Sequence, residues 1–448
     1  MLTRATLHNR PSPRNLLARV LETPELATQI QALPPPLLGK LLGEVGLEDA
    51  GELVALATTA QIAGIFDEDL WKSARAGQDP RFDSERFLLW LEILLEGGER
   101  AVAERLAELP EDLVTLAFHR HLLVLSLDDL RSELTADDAE AEAAEKAFES
   151  CLSEELDEYQ LIWRGGDGFD SVMAALLALD RDHHSLTVDI LERCAALSSE
   201  YIADNGGLYE VLSSEQMLEQ DLAAEREARR AERGYVAPSA ARAFLRLARG
   251  AESAETPVTE HDPLTRAYFR DLSRAPSPSR AAPPPPAAPP PERRDLLALL
   301  ESAGVARDVA APPQLAAGAP TRPEPLLIAA LRQLAEVAPA QLAERSEELA
   351  YLTNVLLAGA SVDGRRLRPL EAVEHAIDGV SLGLALACPA GAPDAASAAA
   401  ALLRTHPCDG LFRWALQEAS KKPRPRRGQL DPALRERVQR LLALMPEG

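Results

Sequence analysis

Apolar residues recur every three to four positions along most of the chain, a spacing typical of amphipathic helices. The stretch from Leu33 to Trp71 shows this pattern clearly and predicts three short helices. The first begins at Pro34, because the fixed φ of proline suits a helix start, and ends at Gly46. The third begins at Thr58, which forms a capping-box pattern with Gln61. Helices this short are marginal alone, so we expect them to stack as a helical array.

The pattern that opens this stretch returns 76 positions later. The series Leu33, Pro34, Leu37, Leu38, Leu41, Leu42 is matched by Leu109, Pro110, Leu113, Val114, Ala117, Phe118. We interpret the match as a degenerate helical repeat, and we predict a superhelical N-terminal domain over residues 19–126. Any helical bundle rich in alanine and leucine also generates such matches, and that alternative stays open.

The pattern beyond this domain predicts further helical bundles and almost no sheet, so the predicted fold class is all-α. An acidic connecting segment occupies residues 127–158, followed by a middle helical domain at 159–272 and a C-terminal helical domain at 324–448. Residues 273–323 are rich in proline and alanine, which favours a disordered linker with one short helix. Within one C-terminal helix, Gly379 and Gly383 lie four apart, so we expect another helix to approach that face closely.

The amino-acid composition limits the classes of function that suit this chain. The 448 residues carry 71 acidic and 47 basic side chains, a formal net charge of −24, which makes nucleic acid an unlikely main partner. The four cysteines are far apart and form no C-x-x-C pattern, which suits a reducing cytoplasm. The N-terminus has no continuous apolar segment typical of a signal peptide, and no apolar run is long enough to span a membrane.

The common nucleotide, hydrolase, zinc-protease and calcium motifs are absent from the sequence, and no cofactor is predicted. His119 and His121 lie two apart, on different faces of a predicted helix, so they are not expected to share a metal ion. The best group of metal-ligand residue types is Asp180, Asp182, His183 and His184. A helix start at Asp182 with an exposed polar first turn explains the same residues without a metal.

A basic segment near the C-terminus offers an anion contact through Lys421, Lys422, Arg424, Arg426 and Arg427. It could bind nucleic acid, an anionic surface or the acidic segment of the same chain. Residues 364–368 form a second basic loop. No aromatic side chain lies among these bases, which disfavours single-stranded nucleic acid, and a solvated loop is the plain alternative.

Three sets of residues carry a resemblance to known proteins: 46–58 with 66–71 and 79–80, then 233–238 with 244–245, and 347–359 with 364–372. Together they resemble a family of uncharacterised helical bacterial proteins over most of the chain apart from the linker. The resemblance implies an all-helical fold and brings no assigned activity.

Residues 20–125 are also similar in repeat style to the intracellular N-terminal superhelix of bacterial magnesium channels and to flagellar motor-switch helical domains. The chain departs from the channels because no transmembrane helix is predicted.

We therefore predict a cytoplasmic, non-catalytic scaffold or regulatory module that binds unidentified protein partners through a helical surface. One alternative is an enzyme of unrecognised type with a metal site near Asp180–His184. Another is binding of nucleic acid or an anionic surface through residues 421–427.

Overall fold

The structure is a computed structural model that describes residues 12–75, 77–128, 151–203, 213–250, 259–274, 291–305, 324–362, 365–388, 394–420 and 432–443. Nineteen helices and seven short strands occur in these ranges, which confirms the all-α prediction. Most of the predicted Pro/Ala-rich linker, most of the acidic segment and the basic segment 421–427 lie outside them.

The helices follow one another along the whole described chain. They are α1 (Pro13–Leu21), α2 (Leu26–Gln31), α3 (Pro35–Val45), α4 (Gly51–Leu56), α5 (Thr59–Asp69), α6 (Ser84–Glu96), α7 (Glu99–Glu108), α8 (Glu111–His121), α9 (Phe169–Ala203), α10 (Ser214–Glu232), α11 (Pro238–Gly250), α12 (Pro263–Arg274), α13 (Pro291–Ser302), α14 (Leu326–Val337), α15 (Pro339–Gly359), α16 (Pro369–Ala387), α17 (Ala395–Leu403), α18 (Cys408–Ser420) and α19 (Pro432–Ala443). The strands are β1 (Trp71–Lys72), β2 (Arg81–Phe82), β3 (Leu122–Ser126), β4 (Ser153–Leu156), β5 (Tyr159–Trp163), β6 (Ser361–Val362) and β7 (Arg365–Arg366).

The described residues divide into two compact units. Those within 1–72, 81–224 and 283–315 form unit 1, and those within 73–80, 225–282 and 316–448 form unit 2. The domain boundaries inferred from the sequence pattern stay predictions.

The helices predicted at the start of unit 1 are confirmed. Helix α3 ends at Gly46, whose φ of 99° is a left-handed value that glycine adopts without steric cost. Helix α5 begins at the Thr58–Gln61 capping box, in which both reciprocal hydrogen bonds form. The proline that precedes α3 has its counterpart before α8, and both helices are 11 residues long and lie 76 positions apart. The bounds of the two helices match, and both the repeat and its superhelical arrangement stay predictions.

Three small antiparallel sheets interrupt the helices. Strands β1 and β2 pair, β6 and β7 pair, and the third sheet has the order β3–β5–β4. In that sheet Leu122 lies opposite Trp163, and Ser126 lies opposite Tyr159. Strand β5 therefore pairs with β3, the strand that directly follows α8, within unit 1.

Each unit has its own hydrophobic core. Most of the helices of unit 1 contribute to one core, which also receives Leu296 and Leu300 from α13. The backbone N–H of Leu296 donates to Gln29 Oε1 at 3.0 Å. The short helix that the sequence places within the linker thus packs into the core of unit 1.

The core of unit 2 contains close helix pairs, among them α16 with α18. A Cβ atom added at Gly379 would overlap the ring of Phe412, and one added at Gly383 would overlap the carbonyl group of Leu411. This confirms the prediction that another helix packs tightly against the two glycines.

Candidate ligand-binding site

The four predicted metal ligands lie along α9, which bends at His183, where φ is −143° and ψ is 49°. Two helices meet at this bend, and the second begins directly after His183, beside the helix start that the sequence suggested near Asp182. His184 Nδ1 lies 2.7 Å from Asp180 Oδ1, one turn earlier. Asp182 instead pairs with Arg181 at 3.4 Å. The structure thus brings together two of the four predicted ligands.

A third group that the sequence did not indicate joins them from the turn between β4 and β5. Asp157 Oδ2 lies 3.8 Å from His184 Nδ1, and single ligand atoms of Asp157, Asp180 and His184 all lie within 4.8 Å of one another. Asp157 has a left-handed φ of 52°. The hydrogen bond with Asp180 raises the pKa of His184. Two carboxylates and one imidazole are a donor set that suits zinc or manganese, and an ion pair satisfies the same three groups.

The other sequence candidates are engaged in structural contacts or lie outside the described residues. His119 and His121 are both buried in unit 1. His121 Nε2 lies 3.1 Å from the carbonyl oxygen of Ser84, and its ring stacks on Trp163 with a centroid distance of 5.5 Å. Arg365 in the second basic loop pairs with Glu371 at 3.1 Å, which lowers the pKa of that glutamate.

Unit 2 contains a cavity of about 430 Å³ that the sequence did not reveal. Three segments that are distant in sequence line it: Thr259, Glu260, His261 and Arg266 around the start of α12, Arg345 of α15, and Arg404, Thr405 and Pro407 between α17 and α18. The cavity volume falls in the range of about 300–1,000 Å³ that small-molecule sites have.

Two carboxylates fix the helix starts that border the cavity. Asp262 precedes Pro263 and caps α12, with its Oδ1 accepting from the backbone N–H groups of Leu264 and Thr265 at 2.8 and 3.1 Å. Glu348 Oε2 accepts from the backbone N–H of Cys408, the first residue of α18, at 2.7 Å. Because each carboxylate satisfies donors at the open end of a helix, these two helices are held firmly beside the cavity.

A buried ionic network supports the cavity wall: His261 and Arg345 line the cavity, and their partners Asp409 and Glu348 lie behind them. His261 Nδ1 lies 2.8 Å from Asp409 Oδ1, and His261 Nε2 lies 3.4 Å from Glu348 Oε1. Arg345 Nη2 lies 3.2 Å from the same Glu348 oxygen, and Arg345 Nη1 donates to the carbonyl oxygen of His406 at 2.9 Å. The side chains of Asp409 and Glu348 are 0% and 3% exposed, so these charges depend on one another for stabilisation.

Burial and pairing shift the pKa values of this network in different directions. The hydrogen bond with Asp409 raises the pKa of His261. Burial alone would raise the pKa of Asp409, but the hydrogen bond and charge of His261 outweigh it, and the pKa of Asp409 is lowered. Burial raises the pKa of Glu348 and places that of the neighbouring Cys408 thiol well above its usual value. Pairing with Asp409 therefore favours the imidazolium form of His261, and burial favours the neutral thiol of Cys408.

This arrangement is suited to binding. Both ring nitrogens of His261 face carboxylates, so neither is free to take a proton from a substrate. Arg345 is 8% exposed, and its Nε is shielded from solvent without a hydrogen-bond acceptor among the described residues. Such an unsatisfied buried donor is costly unless a ligand or water accepts from it.

The fold and site define an all-α protein of two units with a polar cavity in the second. Residues 3–204 match the model of a family described as "Family of unknown function (DUF6178)". The predicted resemblance to an uncharacterised family is thereby confirmed over this part of the chain, which is a little under half of it. No curated protein and no solved structure matches the chain. The similarity to magnesium channels and motor-switch domains stays a prediction.

The matched region contains Asp157, Asp180 and His184, whereas every residue that lines the cavity lies beyond it. Among the described residues, no helix is both long and apolar enough to cross a membrane.

Proposed function

We propose that the chain is a non-catalytic regulatory binding protein and that its cavity in unit 2 is the site of a small-molecule ligand. The cavity has the size of a small-molecule site, and polar side chains converge on it from three segments. In this proposal the helical surface serves unidentified protein partners, and ligand occupancy regulates that scaffold.

The observation that carries the proposal is the buried network of His261, Asp409, Glu348 and Arg345. Its members are fixed by one another and by two helix starts, so the wall is preorganised before any ligand arrives. The histidine and cysteine beside the cavity have no nitrogen or thiolate available for chemistry, which favours binding over catalysis.

A cytoplasmic location belongs to the same proposal. All four cysteines are free, and two of them, Cys194 and Cys408, are buried. Burial raises the pKa of Cys194 to about 12. Free cysteines are typical of a reducing compartment.

A thermal-shift screen of metabolites tests the proposal. A ligand at a hundredfold excess over its Kd stabilises the folded state by about 2.7 kcal/mol, which corresponds to several degrees in Tm. We expect at least one compound to raise the Tm of the wild type but not that of Thr405→Trp, which places an indole at the cavity. Thr28→Trp, at an exposed threonine of α2 in unit 1, is the matched control and should keep the shift. Equal shifts in all three proteins would contradict the proposal.

A second candidate function rests on the convergence of Asp157, Asp180 and His184, and it retains the alternative of a metal-dependent activity in unit 1. We expect the wild type to retain about one equivalent of zinc or manganese after desalting and His184→Ala to retain none. His183→Ala is the matched control, because His183 adjoins the group without belonging to it. Equal metal content in the two variants would refute this candidate.

A further inference from the structure

We infer that the ligand of the unit 2 cavity carries a phosphate group. The inference rests on the proposed function, because it names the chemical class of the ligand bound at the same site. It depends on the charges that line the cavity and on which of them already have partners.

Three arginines line the cavity, Arg266, Arg345 and Arg404, together with one acid, Glu260. The side chains of Arg266 and Arg404 form no ion pair with any residue that the structure describes. Asp409 and Glu348 balance the charges of His261 and Arg345, so the excess positive charge at the cavity comes from Arg266 and Arg404. The cavity therefore concentrates positive charge in a chain whose formal net charge is −24.

Arg345 is already engaged within the wall. Its two terminal nitrogens contact Glu348, Glu344 and the carbonyl oxygen of His406. Its Nε has no acceptor among the described residues and is itself shielded from solvent. The contacts to the ligand are therefore assigned to the exposed side chains of Arg266 and Arg404, which can donate charge-assisted hydrogen bonds to an anionic oxygen.

The number and spread of donors favour phosphate over carboxylate. A single arginine fork satisfies both oxygens of a planar carboxylate. This cavity presents Arg266 and Arg404 from two segments together with the hydroxyl group of Thr259, whereas the Thr405 hydroxyl donates to the carbonyl oxygen of Leu402. Donors that approach from several directions match the three terminal oxygens of a phosphate monoester, each of which accepts more than one hydrogen bond.

Calorimetric titration of the full chain tests the inference with three small probes that differ in their charged group. These are glycerol 3-phosphate, uncharged glycerol, and acetate, which carries a lone carboxylate. We expect saturable binding of glycerol 3-phosphate, no binding of glycerol, and acetate binding at least tenfold weaker. The affinity for glycerol 3-phosphate should fall with rising salt.

Variants at exposed arginines separate loss of the site from loss of folding. We expect Arg404→Ala and Arg266→Ala each to weaken glycerol 3-phosphate binding by about tenfold or more, because each removes a charge-assisted contact. Arg332→Ala is the matched control: it removes an exposed arginine of unit 2 that does not line the cavity, and it should bind as the wild type does. Circular dichroism confirms that all three variants are folded.

The outcomes also distinguish this inference from the proposed function. Equal affinities of the wild type and Arg404→Ala, or acetate binding as tightly as glycerol 3-phosphate, would overturn the inference. If only an uncharged metabolite stabilises the wild type and Thr405→Trp abolishes that effect, the inference fails and the proposed function stands. If no compound depends on Thr405, both fail.

Vesicles test a lipid source of the phosphate group. The protein could bind phosphatidic acid vesicles, lose that binding in Arg404→Ala, and bind neither phosphatidylcholine vesicles nor free glycerol 3-phosphate. This result would support the phosphate chemistry and assign it to a lipid headgroup.

Discussion

Replacing Gly383 with alanine should destabilise unit 2, because α16 and α18 approach each other there more closely than a methyl group allows. The added Cβ would overlap the carbonyl oxygen and carbon of Leu411, which are backbone atoms. A side-chain rotation therefore cannot relieve the overlap, and the two helices must move apart. The same substitution in an open helix position would instead be favourable, since alanine is the better helix former.

The magnitude follows from these two opposing effects. Overpacking of a close helix contact costs about 1–3 kcal/mol, and a clash with backbone belongs at the upper end of that range. The gain in helix propensity from glycine to alanine is about 1 kcal/mol. We therefore expect Gly383→Ala to lower the free energy of unfolding of unit 2 by about 2 kcal/mol.

Gly43→Ala is the matched control, because Gly43 lies exposed in α3 and an added Cβ would have no atom within 4 Å. This variant should raise the free energy of unfolding of unit 1 by up to about 1 kcal/mol. Native-state hydrogen exchange of amides in α16, α18 and α3 measures both effects locally. A Gly383→Ala protein that is as stable as the wild type, or more stable, would refute the close-packing argument.

Two further predictions concern buried polar groups. Because Asp409 raises the pKa of His261, the stability from this pair is fully present below the unfolded-state histidine pKa and is lost as pH rises through the raised folded-state value. The unfolding free energies of the wild type and His261→Gln should therefore converge at alkaline pH in urea titrations, and a constant difference would contradict this. Gln61 Nε2 donates to the carbonyl oxygens of Ile30 and Leu33 at 2.8 Å each, so Gln61→Leu should destabilise unit 1 by about 2 kcal/mol or more, as measured by urea unfolding. A loss within experimental error would contradict that role.

Local signals in the sequence were sufficient to predict those structural features that depend only on neighbouring residues. The capping box at Thr58, the left-handed end of α3 at Gly46 and the close approach at Gly383 all follow from residue types at short spacings. Helix starts at prolines are equally local, because proline fixes its own φ. These features were predicted correctly.

The strands were harder to predict from the sequence because their pairing is not local. Strand β3 finds its partner β5 more than 30 positions later, and each is only five residues long. Leu161 to Trp163 belong to the middle strand of a sheet, which their own sequence neighbourhood does not indicate. A short apolar run carries too little periodicity to identify a strand.

The candidate site was missed for a related reason. His261, Arg345 and Asp409 come from three parts of the chain, and nothing in their individual neighbourhoods indicates that they meet. Asp262 with the proline that follows it indicates a helix start, and nothing in that pattern indicates that the preceding His261 lines a cavity. Sequence reasoning identified Asp180 and His184 because they lie one helical turn apart, and it missed Asp157, which a hairpin turn brings to them.

The central claim is that the unit 2 cavity binds a ligand that the Arg266 and Arg404 guanidinium groups contact. Nuclear magnetic resonance of the arginine Nε–H groups observes these donors directly while glycerol 3-phosphate is added to the full chain. We predict saturable shifts of the Arg266 and Arg404 Nε–H signals, with the Arg332 signal unchanged. Arg266 and Arg404 signals that do not move, or that move no more than that of Arg332, would contradict the claim.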